Sequence, residues 1–466
     1  MAENYDVVVI GAGPAGYVAA IRAAQLKQKV AIVDKQWLGG VCLNVGCIPS
    51  KSLLRNAEVA HTLRERGKDF GFSFDNLKLD YGAAVKRSRQ NSDRLTKGVG
   101  FLMKKNGISV YMGAAQLKSK DTTVVTGSDK TVSELKARNI IIATGATAAV
   151  PAAWKVDGEK VVTYLEAILQ ERLPKSVIII GSGAIGVEFA TIWSSYGVEV
   201  TVVEMLPRLV PLEDEEVSKE LKKEFEKRGI KCLVDTKVES VESTKTGARV
   251  KVSADGKSIV LEAEQALVAI GFRPNSKGYG LEEVGVRLNE RGFVEINEKM
   301  QSSIPTIWAV GDVTGKLMLA HVGSAMGIIA AENIAGAATT TLDYEMLPRA
   351  TYCQPQVASF GLTEAQAKER GHQVKIGRFP FQANGKALGL GDHAGWVKIV
   401  VDEKYGEILG AHMIGPEVTE LLPELTLAHL MELTPNEIAR NVHAHPSLSE
   451  VLGEAAHAAE GNPIHI

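Results

Sequence analysis

An α/β architecture is predicted for this chain, with two parallel-sheet units and a C-terminal α+β domain, on three observations. A β-branched apolar run, a glycine-rich turn and an Ala-rich helix stand in that order over residues 6–26. The same device recurs with its first glycine at 181 instead of 11. From about Leu347 the pattern changes to alternating strands and then apolar helices.

In chain order, Asp6-Val7-Val8-Val9-Ile10 suits a parallel strand buried on both faces. Gly11, Gly13 and Gly16 open the helix, and a second strand over residues 30–33 ends in Asp34. This is the Rossmann-like dinucleotide fingerprint in its strand–turn–helix–strand setting. Its glycines let backbone N–H groups approach a pyrophosphate at the helix N-terminus, and Asp34 can take a ribose hydroxyl. The second copy runs from residues 176–180 through Gly181, Gly183 and Gly186 to a strand ending at Glu204. The acid follows the first glycine by 23 residues in both copies (11 to 34, 181 to 204). Two such domains imply two dinucleotides, with chemistry passing between them. Glu204 can accept from both ribose hydroxyls but would repel a 2′-phosphate. Met205 and Leu206 follow it, not arginines, so the second site reads as NAD rather than NADP. Arg208 is open to two readings, a phosphate ligand or surface packing.

Directly after the first fingerprint, residues 39–51 (GGVCLNVGCIPSK) place Cys42 and Cys47 five positions apart. An ideal helix would hold such a pair roughly 8–9 Å apart at Cα, whereas a disulfide wants about 4.4–6.8 Å. Bonding them needs a distorted turn, which Gly46 permits and Pro49 helps to delimit. So short a loop stabilises little, and cytosolic disulfides are usually catalytic or redox-sensing, which favours a working pair over a staple. Taken alone the motif also fits two buried thiols or half a metal site. Metal is disfavoured because Cys232 and Cys353 are isolated, and no metal is expected.

Further on, residues 81–105 read as a helix with a basic, solvated face. A strand over 139–144 closes at Gly145 and another over 266–270 closes at Gly271, each marking a crossing between domains. Residues 213–228 read as a surface helix of interleaved Glu and Lys, and 232–260 as hairpin strands. The strand over 306–310 delivers Asp312 at its C-terminal end, where ligands of open α/β sheets sit; Asp312 contacts the first dinucleotide or simply forms the turn. Residues 396–401 and 408–414 alternate about a turn, giving an antiparallel hairpin, and apolar helices follow at 418–432 and 448–459. Between those helices His445 precedes Pro446, and Glu450 lies one helical turn into the next helix. As His-Pro alone this is a capped loop; beside a redox pair it is a base whose tautomer a carboxylate holds.

Composition sets the outer bounds. The 466 residues allow several domains, each with its own core. A net charge of −2 gives no reason to expect nucleic acid or an anionic membrane as partner. No run approaches 18 apolar residues, and no basic leader with an apolar stretch opens the chain. The expectation is a cytoplasmic protein, with an organelle matrix or stroma open if a presequence has been removed.

Taken together, residues 11–34, 39–51, 181–204, 271–275, 311–312 and 445–450 resemble the pyridine nucleotide–disulfide oxidoreductases in order and spacing. Among these the chain is most similar to members that oxidise protein-bound dihydrolipoamide with NAD⁺. The resemblance implies FAD at the first site, NAD at the second, and a homodimer built through the C-terminal domain. It divides the chain into residues 1–148 and 276–346 for FAD, 149–275 for NAD and 347–466 for the interface. By resemblance Cys47 contacts the flavin, Cys42 exchanges with substrate, and His445 with Glu450 is the base, delivered from the partner subunit. Lys51, paired with Glu188, is the cation beside the flavin, and Ala320 begins a helix whose positive end faces it. Lipoyl-bearing proteins of 2-oxo acid dehydrogenase or glycine cleavage complexes are the implied partners. Glutathione-type reductases would favour arginines near 205 and often Ala at 186, and mercuric reductases a C-terminal cysteine pair. None of these is present.

Overall fold

The computed structural model describes residues 3–466. Its first sheet has seven strands. Glu3–Ile10 lies at the centre, parallel to Val30–Asp34 on one side and to Val132–Ile142 on the other. The apolar run needs two covered faces, and it has them. Val7 and Val9 face the helices Pro14–Gln25 and Ala320–Ala335, while Val8 and Ile10 face Leu117, Val125, Leu281 and Val294. The Ala-rich helix lets Ala320–Ala335 come close: a Cβ on Gly327 would stand 2.5 Å from the Ala15 carbonyl oxygen. The short strand Ile307–Ala309 joins the sheet beside Ile140–Ile142 and ends just before Asp312.

The second unit repeats the plan with a five-stranded parallel sheet centred on Ser176–Ile180. The region from Cys232 departs from the expected hairpins at its start. Lys231–Leu233 is a parallel edge strand of this sheet, and the antiparallel meander begins only at Lys237. Cys232 pairs across to Val202 because the strand register, not local alternation, places it there. The two chain crossings are stitched to each other. Ala146–Ala148 pairs antiparallel with Phe272–Pro274, and the Asn275 N–H donates to the Gly145 carbonyl at 3.0 Å.

The C-terminal sheet is antiparallel, five-stranded, and runs in the order 349–351, 356–361, 408–415, 396–402, 374–380. Its central strands Trp396–Asp402 and Ile408–Gly415 are buried along their whole length, so the expected half-exposed alternation is absent. Helices Val418–Leu430 and Glu450–Ala459 cover one face, and the helix Glu215–Lys227 of the second unit lies against the other. A short helix, Pro435–Arg440, intervenes unpredicted. No helix of the described residues is long and apolar enough to cross a membrane.

Candidate active site

The cysteine motif folds as two helices broken at one residue. Gly40–Val45 ends at Gly46, and Cys47–Glu65 begins immediately after it. A Cβ on Gly46 would press to 2.9 Å from the Val41 carbonyl oxygen and 3.1 Å from the Cys42 Cα, so the break requires glycine for close approach. Pro49 sits in the first turn of the second helix, where its missing N–H would have had no intrahelical acceptor. The distorted turn inferred from spacing is therefore present, and it brings Cys42 and Cys47 into side-chain hydrogen-bonding contact.

The two thiols are unequal. The hydrogen bond to Cys47, together with burial, pushes the Cys42 thiol up. The same bond lowers the Cys47 thiol; burial opposes it and the Lys51 cation lowers it again. Cys47 also occupies the first position of an uncapped helix, where the dipole favours an anion. Lys51 follows one turn later, its Nζ 2.9 Å from each carboxylate oxygen of Glu188. Burial works against the Lys51 charge, but Glu188 holds its pKa above the ordinary lysine value. The predicted pair thus joins the redox helix to the helix Ala184–Ser195 of the second unit.

The glycine loops fit two dinucleotides. Gly11 and Gly181 have φ of +106° and +100°, and a Cβ on Gly16 or Gly186 would overlap the carbonyl oxygen of Gly11 or Gly181. At Gly13 and Gly183 the opposite holds: a Cβ would meet nothing nearer than 3.9 Å at the first and nothing within 4 Å at the second. Both helices that start there lack a side-chain cap, leaving their first N–H groups for a pyrophosphate. The first loop is the one beside the cysteines, since the Gly39 N–H donates to the Ala12 carbonyl at 2.8 Å.

The two acids stand at their strand ends as predicted, each braced by its own loop. Asp34 accepts from the backbone N–H of Ala12, Gln36 and Trp37. Glu204 accepts from the N–H and hydroxyl of Ser182 and from the N–H of Leu206. Arg208 turns to the Pro211 carbonyl and to Glu215 at 4.0 Å, the surface-packing alternative. Asp312 is different: among the described residues no hydrogen bond reaches its carboxyl group, and burial pushes it up to about 6. A polar group left unmatched beside the first loop, next to the uncapped start of Ala320–Ala335, fits a hydroxyl-bearing ligand.

His445 and Glu450 are brought together, Nδ1 to Oε1 at 2.9 Å, and the second carboxylate oxygen accepts from the Ser447 N–H. His445 is exposed, and no hydrogen bond or ion pair links it to either cysteine among the described residues. The sequence reading missed four contributors. Arg89, assigned to a solvated face, donates to the Asn44 carbonyl inside the redox motif, and Arg87 binds Ser52 and Asn56 on the redox helix. His443 binds Glu424 at 2.9 Å, so alternate residues of one segment point to opposite sides. Tyr352 places its ring 4.6 Å from the Lys51 Nζ. None carries a local motif that would have marked it.

Comparison with known proteins agrees with this geometry. Residues 5–327 match the model of the pyridine nucleotide-disulphide oxidoreductases, and residues 347–456 match that family's dimerisation domain. The chain is 53% identical to a dihydrolipoyl dehydrogenase of Mycobacterium leprae, over 99% of each chain. It is 49% identical to one of Corynebacterium glutamicum and 44% identical to one of Bacillus subtilis, over 100% of each chain in both cases. Among solved structures, LpdA of Mycobacterium tuberculosis superposes with a TM-score of 0.91 at 27% identity, over 97% of this chain and 99% of that one. The HOCl-induced flavoprotein disulfide reductase RclA of Escherichia coli gives 0.85 at 26% identity, over 96% and 98%.

Proposed function

The chain belongs to the pyridine nucleotide-disulphide oxidoreductase family, and from that premise we propose that it oxidises protein-bound dihydrolipoamide to lipoamide with NAD⁺ as acceptor. The observation that carries this reading is the adjacent Cys42–Cys47 pair, held between a first dinucleotide loop and a half-buried cation that reaches the second unit. Gly11, Gly13, Gly16, Asp34 and Asp312 would hold FAD, which when bound would supply two-electron chemistry between the cysteines and NAD⁺. Gly181, Gly183, Gly186 and Glu204 hold the nicotinamide dinucleotide, and the Glu204 carboxylate discriminates against a 2′-phosphate.

The protein's own residues then act on sulfur. His445, its tautomer held by Glu450, takes the proton from one substrate thiol. That thiolate attacks Cys42 of the oxidised pair; an S–S bond forms to substrate, the Cys42–Cys47 bond breaks, and Cys47 leaves as thiolate. Lys51 and the helix start stabilise that leaving group, so the more acidic thiol is the one expelled. The second substrate thiolate attacks its own neighbour in the mixed disulfide, closing lipoamide, and Cys42 leaves and takes up a proton. Two electrons now rest on the cysteine pair, as Cys42 thiol and Cys47 thiolate.

Because His445 stands exposed and apart from the cysteines of its own chain, the base for Cys42 comes from the second subunit of a homodimer. The matched dimerisation domain supports that assembly. Lipoyl-bearing proteins of a 2-oxo acid dehydrogenase or glycine cleavage complex are the proposed partners, and the cytoplasm the proposed location. The test is turnover of dihydrolipoamide with NAD⁺ by the purified, flavin-loaded protein, with NADP⁺ and glutathione as controls. Activity with dihydrolipoamide and NAD⁺ alone is expected, and preference for glutathione with NADP⁺ would overturn the assignment.

A further inference from the structure

Three units of the molecule converge on the Lys51–Glu188 pair. The redox helix supplies Lys51, the second unit supplies Glu188, and the segment after the strand Arg349–Thr351 of the C-terminal sheet supplies Tyr352. Tyr352 touches both partners at once. Its backbone N–H donates to Glu188 Oε1 at 3.0 Å, and its ring lies 4.6 Å from the Lys51 Nζ, inside the range where a cation is drawn to an aromatic face. Two residues on, the Gln354 N–H donates to the Thr191 hydroxyl at 3.3 Å, one turn beyond Glu188 on the same helix. Among the described residues the Tyr352 hydroxyl has no hydrogen bond, and burial pushes its pKa up, so it stays neutral.

We propose that Tyr352 is a positioning residue: main-chain N–H on Glu188 and ring face on Lys51, it fixes the cation one helical turn from Cys47 and so sets the acidity of that thiol. The proposal rests on the reading of Lys51 as the cation that stabilises the Cys47 thiolate. The geometry explains why a ring is used. Two of the three ammonium protons are directed at Glu188. A second carboxylate on the remaining side would leave the cluster net negative and raise Cys47, whereas an aromatic face steadies the cation without adding charge. The charged or titratable groups facing this cluster are Glu188 from the second unit, Cys42 and Cys47 from the redox motif, and Cys353 and Glu420 from the C-terminal domain.

The test compares Tyr352→Phe and Tyr352→Leu with the wild-type flavin-loaded protein. The readout is the pH midpoint of Cys47 ionisation, followed by thiolate-to-flavin absorbance after reduction with a dithiol. Tyr352→Leu is expected to raise the midpoint by about half a pH unit or more, from the size of a partly desolvated cation–aromatic contact. Tyr352→Phe should leave it in place. If Tyr352→Leu fails to fold, pentafluorophenylalanine at 352 keeps the shape, reverses the charge distribution of the face and should raise the midpoint likewise. Midpoints unchanged in both Tyr352→Leu and the fluorinated variant, or shifted as far in Tyr352→Phe, would overturn the proposal. Lys51→Met separates the two readings. If it moves the midpoint while Tyr352→Leu does not, only the role of Tyr352 falls; if it moves nothing, the reading of Lys51 falls as well.

Discussion

Gly183 and Gly186 sit three residues apart on the same loop, yet they are glycines for different reasons. A Cβ at 186 would collide with the Gly181 carbonyl oxygen, whereas one at 183 would enter open space. Gly183→Ala should therefore fold with unchanged thermal stability, within about 0.5 kcal/mol, and keep its flavin. Its NADH affinity should fall about tenfold, roughly 1.4 kcal/mol, because the methyl stands where a pyrophosphate approaches the helix; titration of NADH by fluorescence checks this. Asp312 gives a pH-dependent counterpart. Its folded pKa of about 6 lies above the unfolded value of about 3.9, so stability falls as pH rises between the two and is flat above 6. A ligand hydroxyl donating to the carboxylate reverses the preference. FAD binding to the apoprotein should then tighten as pH rises to 6, by at most about tenfold per unit, and Asp312→Asn should flatten the profile. The role of each fingerprint glycine was legible because spacing alone encodes a backbone constraint. Tyr352 and Arg89 were not, since their partners lie far away in sequence and nothing local selects them.

At the scale of elements, the helices and strands followed periodicity where one face meets solvent and escaped it where neither does. The helix Tyr81–Lys105 falls where its basic, amphipathic pattern put it. The strand Trp396–Asp402 was expected to be half exposed, but a helix from another unit covers its second face, along with a lysine. Lys398 is almost wholly buried, with Nζ 3.3 Å from Asp214, 2.7 Å from Glu216 and 2.9 Å from Glu364. In sequence it reads as the polar position of an edge strand; only the packing of Glu215–Lys227 onto the sheet turns it into a tie between units. Lys398→Met would leave the buried Asp214 without a cation, while Glu216 keeps Arg378 and Glu364 keeps Lys368, a loss of about 3 kcal/mol. Chemical denaturation should show it while the flavin remains bound. Glu364 is held below the ordinary carboxylate value by its bonds to Lys368 and Lys398. Its contribution is therefore present above the unfolded carboxylate pKa and lost as pH falls through the folded one. The Met variant should be less sensitive to acid than the wild type over that interval.

For the whole molecule the question is how a base on one surface reaches a thiol on another. The helices around the His445 segment leave Leu427, Leu430, Met431 and Val442 exposed, more apolar surface than one end of a lone subunit ordinarily shows. The matched dimerisation domain includes all four. In a two-fold assembly the same patch meets itself, and on the proposed assignment each subunit would lend its histidine to the other's cysteines. The C-terminal domain was recognisable as an interface from its apolar helices, but the site it completes followed only from family resemblance and not from any local pattern, because a sequence carries no symmetry operator. Complementation decides it. Cys47→Ser and His445→Gln should each be inactive with dihydrolipoamide. A mixed dimer holds one doubly altered site and one site with both native residues. Random pairing of equal amounts makes half the dimers mixed, so co-expression should restore about a quarter of wild-type turnover per subunit. Were each site built within a single chain, every site in the mixture would carry one substitution, and activity would stay at the level of the separate variants.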